Sequence, residues 1–374
     1  MRSAAAQIHW EEAGVARSAP WRSAAAVPPP KRVFVADDRL PADAAYKLIC
    51  EGTALLWRGD YHNARQLLQA IARRVARKPR KLGATAAESF HLHRQSQGHR
   101  ARILGMLLIP VEADGRIPLR RAPDVAEACI EACGQPEAPF IVSLREVQAW
   151  VGAHEWRKKG VPVAALGANI HPWYGVFSPV RGEYVGLVAQ APLPATDLAF
   201  DIGTGTGVLA AVLAKRGVAR VIATDQDERA LACARENLER LGFAARIELE
   251  AVDLFPAGRA SLIVCNPPWV PAKPTSPIEY AIYDPESAML RGFLAGVSAH
   301  LAPGGEAWLI LSDIGEHLGL RTRADLEGWI AAGGLRVIAR HDTRPHHPKA
   351  SDDSDPLSEA RRQEMTSLWR LAAR

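Results

Sequence analysis

The sequence predicts an α/β fold with a mainly parallel sheet in its second half, preceded by a helical domain. Two apolar runs, residues 198–202 and 261–265, are too short for helices and are closed by turn-forming residues. They therefore predict strands that are buried on both faces. The first run leads through a glycine-rich turn into residues 208–217, which have helical composition and end in Gly217. Strand, turn and helix in this order indicate that the two strands lie in one parallel sheet.

The length and composition bound the protein class. The chain has 374 residues, of which 48% are hydrophobic, so it can form two domains, or one large domain with extensions. It contains no run of about 18 apolar residues, so we predict no membrane span. The five cysteines are odd in number and include no C-x-x-C pair. This pattern argues against a disulfide scaffold and a zinc site and predicts a reducing, cytoplasmic location.

The chain before the sheet divides into two predicted segments. Residues 1–40 are rich in Ala, Arg, Ser and Pro without apolar periodicity, so we predict a disordered extension that is neither a signal nor a transit peptide. Residues 41–154 are predicted to be a basic, mainly helical domain, with residues 43–57 and 61–77 as its first helices. Between Arg58 and Arg121 there are 14 Lys and Arg against four Asp and Glu, a local charge of +10. The domain could dock on RNA or on an acidic protein surface, or it could simply have a solvated basic face.

Residues 155–374 are predicted to form the domain that carries the chemistry. Asp201 ends the first strand and is followed by Gly203, Gly205 and Gly207 at alternating positions. A glycine turn that opens a helix brings backbone N–H groups close to a ligand, which suits a compact polar group such as a carboxylate. The dinucleotide-binding pattern needs its third small residue at the position of Val208, so this turn argues against a dinucleotide-dependent oxidoreductase.

Two further acids follow predicted strands. Asp225 ends residues 219–225, about 20 residues past the glycines, where a carboxylate can accept hydrogen bonds from ribose hydroxyls. Asp253 comes at the end of residues 245–255, which alternate as a strand does. One such acid is commonly an ordinary turn or cap residue, but three acids at successive strand ends after a glycine turn are much less expected by chance.

At these residues the sequence resembles the class I S-adenosylmethionine (SAM)-dependent methyltransferases, which have a Rossmann-like sheet. The resemblance implies SAM as cofactor, with the glycine turn at its amino-acid end, Asp225 at the ribose and Asp253 near the adenine. The cofactor-binding candidates are Asp201, Gly203, Thr204, Gly205, Gly207, Asp225, Asp253 and Asn266. No metal site is predicted.

The second strand runs into Asn266, Pro267, Pro268 and Trp269, which are the catalytic candidates. The side-chain carbonyl of Asn266 and the backbone carbonyl of Pro267, held outward by the fixed φ of consecutive prolines, can accept the two N–H groups of a planar NH2. Trp269 offers a flat apolar face for such a group. The alternative is a rigid strand-to-loop turn without chemistry. After a buried strand, in a chain that also has the glycine turn, the motif favours N-methylation.

A narrower resemblance is to the HemK/PrmC-like protein glutamine methyltransferases of the methyltransferase small-domain group. It rests on a helical N-terminal portion, Gly160-Val-Pro162, an aromatic-rich segment, Arg181-Gly-Glu183 and Asp284-Pro-Glu286. Gly175-Val-Phe-Ser178 also resembles small-domain ribosomal RNA guanine methyltransferases. Trp269 departs from both groups, which follow Asn-Pro-Pro with Tyr or Phe.

The sequence therefore predicts a SAM-dependent N-methyltransferase that acts on a macromolecule, with a slight preference for a protein glutamine. An RNA base amine, of adenine or guanine, is the alternative acceptor, and the ribosome or a translation factor is a possible partner. A basic RNA-binding module with a non-catalytic SAM domain is a second alternative. Residues 343–360 are predicted to form a substrate-facing flap or a disordered loop, and His346 and His347 have no defensible metal partners in Asp352 and Asp353.

Overall fold

The computed structural model describes residues 6–77, 83–180, 182–275, 277–345 and 357–374. They divide into two compact units, one of residues 6–77 with 91–155 and one of residues 83–90 with 156–374. The predicted domain boundary lay after residue 154, but the short segment 83–90 also belongs to the second unit. None of the described helices combines the length and apolarity that crossing a membrane requires.

The first unit contains a hairpin and a four-stranded sheet with flanking helices. Its strands are β1 (Gln7–Glu12), β2 (Val15–Pro20), β3 (Val33–Ala36), β4 (Ala54–Trp57), β5 (Leu107–Val111) and β6 (Phe140–Ser143). Its helices are α1 (Ala42–Cys50), α2 (Tyr61–Ala76), α3 (Ala86–Leu104), α4 (Ala126–Cys133) and α5 (Leu144–Lys159), where α3 begins and α5 ends in residues of the second unit. The sheet order is β3-β4-β5-β6, with the first three strands parallel and β6 antiparallel.

The prediction of disorder for residues 1–40 is wrong for much of the described part. Strands β1 and β2 pair antiparallel from Gln7 to Pro20, and Ile8 and Trp21 are buried in one apolar cluster with residues of β4, β5 and β6. The Trp21 indole also donates a hydrogen bond to the Val27 carbonyl. The sequence pattern did not reveal the hairpin, because Ile8 and Trp21 are far apart in a run of small and polar residues and produce no apolar periodicity.

The prediction of a mainly helical domain missed the sheet. Helix α2 matches its predicted span closely, but the predicted helix 43–57 ends at Cys50, and its last four residues form β4. All residues of β4 and β5 are buried. A short apolar run that is buried on both faces looks the same in sequence whether it is a strand or part of a buried helix.

The second unit contains the predicted parallel sheet. Its strands are β7 (Val161–Val163), β8 (Ala168–Ile170), β9 (Leu198–Ile202), β10 (Arg220–Asp225), β11 (Ile247–Ala251), β12 (Ala260–Cys265), β13 (Leu301–Ser312), β14 (Leu335–Thr343) and β15 (Thr366–Ala373). Its helices are α6 (Glu183–Gln190), α7 (Val208–Lys215), α8 (Glu228–Arg240), α9 (Ala288–His300), α10 (Ile314–His317), α11 (Arg323–Ala332) and α12 (Ser358–Gln363). Short 3-10 turns cover Ala244–Arg246, Pro277–Ala281 and Pro285–Ser287.

The seven-stranded sheet has the order β11-β10-β9-β12-β13-β15-β14. Strands β11, β10, β9, β12 and β13 are parallel, whereas β15 runs antiparallel to both β13 and β14. This is the Rossmann-like α/β sheet that the sequence predicted, with its order reversing between β9 and β12. In open α/β sheets ligands bind outside the carboxyl ends of the strands at such a reversal.

Both faces of this sheet are covered. Successive residues of one strand belong to different apolar clusters, on opposite faces of the sheet, as Ala199 and Phe200 of β9 do. One cluster includes α6 and α7, and the other includes α9 and α11. The buried faces explain why the strands appear in the sequence as continuous apolar runs rather than as alternating ones.

Segment 83–90 contributes Phe90 to a smaller apolar cluster of the second unit. The cluster also contains Val270, Ile314, Leu318, Leu357 and Ala360. Phe90 is 2% exposed, and its ring centroid lies 6.5 Å from that of Tyr283. A residue far from the sheet in sequence thus belongs to the core beside it.

Replacing this ring tests the burial of Phe90 in the apolar cluster. We expect Phe90→Ala to lower the free energy of unfolding by about 3 kcal/mol, because it removes a buried aromatic side chain and leaves a cavity. The matched control is Phe34→Ala, since Phe34 on β3 is 46% exposed and its loss should cost less than about 1 kcal/mol. Guanidinium unfolding followed by circular dichroism measures both. Equal, small losses would contradict the burial of Phe90.

Candidate active site

The register of two neighbouring strands assembles the site. Ile202 of β9 pairs with Cys265 of β12, so the glycine turn and the Asn-Pro-Pro segment leave the sheet side by side. Adjacent strands are about 4.8 Å apart. A cavity of 1170 Å³ lies at this edge. It is larger than a typical small-molecule pocket of about 300–1,000 Å³, which leaves room for a cofactor and an acceptor group together.

Most of the predicted site residues line this cavity. The lining residues among them are Gly203, Thr204, Gly205, Asp225, Asp253, Asn266, Pro267, Pro268 and Trp269. The two predicted site residues that do not line it are Asp201 and Gly207. The structure therefore brings the candidates for cofactor binding and for catalysis to one cavity.

The glycine turn has a conformation that side chains rarely adopt. Gly203, Gly205 and Gly207 have φ angles of 71°, 56° and 80°. A Cβ on Gly203 would lie 2.7 Å from the Met289 methyl carbon, whereas a Cβ on Gly205 would meet no atom within 4 Å and would point into open space. The turn thus exposes bare backbone to the cavity, and this cradle fits the amino-acid end of a SAM molecule.

Asp201 and Gly207, which are predicted to bind the cofactor, do not line the cavity but support the glycine turn, and their contact with the cofactor stays a prediction. The Asp201 carboxylate lies behind the turn, 1% exposed, and accepts hydrogen bonds from Thr204 Oγ1 at 2.7 Å and Ala210 N at 3.0 Å. A Cβ on Gly207 would lie 3.3 Å from Ala234 Cβ, so this glycine allows close packing of the turn on α8. Both residues shape the turn from its buried side.

The two other predicted acids lie at the ends of β10 and β11. Asp225 is half-buried, and its carboxylate accepts hydrogen bonds from Gly205 N at 3.0 Å and Asp227 N at 3.0 Å. Burial raises the pKa of Asp225 above its ordinary value. Asp253 is exposed at the cavity, and the next residue, Leu254, has a φ of 63°. The hydroxyl of Thr224, which is fully buried, donates a 2.7 Å hydrogen bond to the Leu254 carbonyl and holds this bend.

Asn266 and Trp269 are joined by a hydrogen bond. The Trp269 indole Nε1–H donates to Asn266 Oδ1 at 2.9 Å. The indole also packs edge-to-face with Tyr184, with ring centroids 6.3 Å apart and planes at 89°. Tyr184 is 2% exposed and lines the cavity, and burial raises its pKa. Tyr184 of α6 thus holds the Trp269 ring of the motif in place.

Part of the cavity lining comes from the apolar cluster that contains Phe90. These lining residues are Phe90, Val270, Tyr283, Ile314, Leu318 and Leu357. Arg361 and Glu364 also line the cavity, and Glu364 accepts a 2.7 Å hydrogen bond from the Ser312 hydroxyl. Of the predicted 343–360 loop, the described residues Pro345 and Leu357 line the cavity, whereas residues 346–356 lie outside the described part of the chain.

Asp284 braces the segment that follows the Asn-Pro-Pro-Trp motif. Its backbone N–H donates to the Val270 carbonyl at 2.9 Å, and its carboxylate accepts from Met289 N and Leu290 N at the start of α9. Asp284 is 5% exposed, and burial raises its pKa. The sequence singled it out by resemblance, and its contacts are those of a helix cap that also lines the cavity.

Asn237 is a site residue that sequence reasoning missed. Its side chain is 1% exposed and accepts a hydrogen bond from His171 N at 2.8 Å. Its Nδ2 group donates to the carbonyls of Thr206 at 3.2 Å and His171 at 3.3 Å. It therefore ties the glycine turn to the segment before α6. An asparagine at a buried position of an amphipathic helix was the only signal of this role.

Some predicted features lie outside the described residues. Arg181, His346, His347, Asp352 and Asp353 are among them. Within the part of the chain that the structure describes, no three His, Cys, Asp or Glu side chains are grouped to hold a metal ion.

The buried Asp201 predicts a pH dependence of stability. Burial raises its pKa from 3.8 to about 6, so between these values the folded state keeps a proton that the unfolded state releases. Stability from this group is therefore present at low pH and is lost as the pH rises to about 6. Asn does not titrate. We therefore expect the difference in unfolding free energy, Asp201→Asn minus wild type, to increase from pH 4 to pH 6. The increase should be at most about 1.4 kcal/mol per pH unit.

Urea unfolding of both proteins at several pH values measures this difference. Only the slope is diagnostic, because the substitution also adds a constant offset through the altered hydrogen bonds to Thr204 and Ala210. A difference that stays constant over this pH range would show that Asp201 titrates normally.

Comparison with known proteins identifies the family. The model of the "Methyltransferase small domain" family matches residues 175–323. The chain is 37% identical over 173 residues to release factor glutamine methyltransferase of Cereibacter sphaeroides, covering 42% of this chain and 60% of that protein. It is 32% identical over 196 residues to tRNA1(Val) (adenine(37)-N6)-methyltransferase of Serratia proteamaculans, covering 50% of this chain and 75% of that protein. It is 30% identical over 215 residues to ribosomal protein L11 methyltransferase of Sorangium cellulosum, covering 50% of this chain and 61% of that protein.

The chain thus spans about three fifths of the length of two of these relatives and three quarters of the third. The matched residues hold the glycine turn, both following acids and the Asn-Pro-Pro-Trp segment. The chain therefore belongs to the SAM-dependent methyltransferases of the methyltransferase small-domain family.

Proposed function

We propose that this chain is an N-methyltransferase that transfers a methyl group from SAM to a planar NH2 group of a macromolecule. The observation that carries the proposal is the adjacency of the glycine turn and the Asn-Pro-Pro-Trp segment, which follow paired residues of β9 and β12 and line one cavity. A donor held by the first segment and an acceptor held by the second would meet within that cavity.

The residues of the turn would hold the cofactor. SAM, when bound, supplies a methyl group on a positively charged sulfur. The exposed backbone at Gly203 and Gly205 suits its amino-acid end, and the oxygens of Asp225, at the end of β10, suit the ribose hydroxyls. Asp253 also lines the cavity and would contact the adenine, as the family resemblance implies.

The catalytic residues would act by positioning. Asn266 Oδ1 and the Pro267 carbonyl would each accept one N–H of the acceptor, which draws the nitrogen lone pair out of conjugation and aims it at the methyl carbon. Pro268 fixes the direction of the Pro267 carbonyl. No strong base is required, because the nitrogen proton becomes acidic only as the new bond forms. Such positioning can contribute up to about 7–11 kcal/mol to catalysis.

A protein glutamine is the acceptor that we favour. A glutamine side chain is narrow, so it could enter the cavity between the apolar lining residues and present its terminal amide to Asn266. The Asp284-Pro285-Glu286 element and the similarity to a release factor glutamine methyltransferase support this choice. It makes a HemK/PrmC-like enzyme that acts on a translation factor the leading hypothesis. The odd number of cysteines without a C-x-x-C pair supports a cytoplasmic location.

An RNA base is the second acceptor, and a different observation favours it. Residues 58–121 carry the excess of positive charge, and most of them belong to the first unit. A basic surface attracts the phosphate backbone of RNA. The similarity to a tRNA adenine-N6 methyltransferase points the same way. A non-catalytic, RNA-binding role remains the alternative to both enzymatic hypotheses.

Incubation of the protein with tritiated SAM and fractionated cell extract tests these proposals. We expect label in a protein band that survives ribonuclease and is lost with protease. The control is Asn266→Ala. Asn266 is also a predicted cofactor contact, but its proposed role is at the acceptor, so SAM affinity should change little while methyl transfer falls by at least about 100-fold. Isothermal titration with SAM measures the first quantity and label incorporation the second.

Three outcomes would change the proposal. Label that is lost with ribonuclease would make RNA the acceptor. Full transfer by Asn266→Ala would contradict the role of that side chain. SAM binding by the wild type without label in any fraction would favour the non-catalytic role.

A further inference from the structure

The hydrogen bond between Trp269 and Asn266 sets the orientation of the Asn266 amide. The indole Nε1–H lies 2.9 Å from Oδ1 and can only donate. If the amide turned over, its NH2 group would face the indole N–H, and two donors would oppose each other. Trp269 therefore selects the orientation in which the carbonyl oxygen stays on its present side.

The indole is itself held in place. Its ring packs edge-to-face with the buried Tyr184 and contacts three apolar clusters of the second unit. A Cβ on Gly315 would lie 3.3 Å from the Trp269 carbonyl, so the backbone is closely packed there as well. The next residue, Val270, donates a hydrogen bond to the Ile282 carbonyl at 3.2 Å. A ring fixed from several sides can orient a neighbouring amide.

The hydrogen bond leaves Asn266 able to bind an acceptor. A carbonyl oxygen has two lone pairs, of which the indole occupies one. Asn266 is half-buried and lines the cavity, so the second lone pair of Oδ1 remains for an N–H of the acceptor. A phenylalanine or tyrosine ring at this position would present only C–H to Oδ1 and would not distinguish the two ends of the amide.

We propose that Trp269 is a positioning residue, which holds Asn266 with its carbonyl oxygen, rather than its NH2 group, toward the acceptor nitrogen. This proposal rests on the proposed N-methyltransferase function. It differs from the prediction that the Trp269 face packs on the acceptor, because the indole N–H acts through Asn266. The two roles have different kinetic consequences.

The test is a double-mutant cycle in the full chain with Trp269→Phe and Asn266→Ala. The assay uses tritiated SAM and the extract fraction that accepts label from the wild type. We expect Trp269→Phe to lower kcat about tenfold with little change in KM for the fraction, because the ring remains and only the donor is lost. In the Asn266→Ala background the same substitution should change the rate by less than about twofold, because residues that act through each other are not additive.

Two controls separate positioning from a general effect of losing an indole. Trp329→Phe alters a half-buried tryptophan of α11 that does not line the cavity, and it should leave kcat unchanged. SAM affinity, measured by isothermal titration, should be the same in all these variants. Trp269→Tyr should behave as Trp269→Phe does, because its hydroxyl is at the far end of the ring.

A measurement that does not depend on activity tests the contact itself. In the full chain labelled with 15N-tryptophan, the Trp269 indole N–H resonance is assigned by its absence from Trp269→Phe. We expect it to move upfield in Asn266→Ala, because the hydrogen bond to Oδ1 is lost. The Trp329 resonance should stay in place.

Several results would overturn the proposal. These are an unchanged kcat in Trp269→Phe, a rise in KM alone, an equal loss in both backgrounds, or an indole resonance that does not respond to Asn266→Ala. If Asn266→Ala retains full transfer while the indole resonance does move, the contact exists but the proposed catalytic role of Asn266 fails instead.

Discussion

The pairing of Ile202 with Cys265 is the constraint on which the site depends. Two parallel strands that are in register deliver their following turns to the same place, however far apart they are in sequence. A slip of one residue would turn every side chain of β12 to the other face of the sheet and would exchange the two apolar clusters. The buried faces therefore specify the register, and the register specifies the distance between the glycine turn and Asn266.

Buried polar groups then give the turn its shape. Asp201, Thr224, Asn237 and Asp284 are each 5% exposed or less, and each binds backbone groups of a segment that borders the cavity. Burial of such groups is unfavourable unless their hydrogen bonds are satisfied, so each one restricts the conformations of the segment that it binds. The raised pKa of Asp201 is the electrostatic cost of that arrangement. The residues behind the site thus determine its geometry as much as those that line it.

The sequence predicted the parts of the structure that local patterns encode. Strands β9, β10 and β12, the turn between β9 and α7, and the residues that follow β12 all carry a local signal in composition or spacing. Phe90 carries no such signal and Asn237 only a weak one, because their roles arise from contacts with residues 30 or more positions away. Strands β4 and β5 were hidden for a different reason, since short apolar runs do not reveal whether they form strands. The buried position of Asp201 could not be predicted, because a strand-end acid looks the same in the sequence whether it faces a cavity or the protein interior.

Because segment 83–90 belongs to the second unit, the two units are not continuous stretches of the chain. The chain enters the second unit, returns to the first and enters the second again. A recombination event with one breakpoint before β7 would transfer the sheet and its cavity without Phe90. A single cut in the chain therefore cannot separate the two units, because helix α3 contains residues of both.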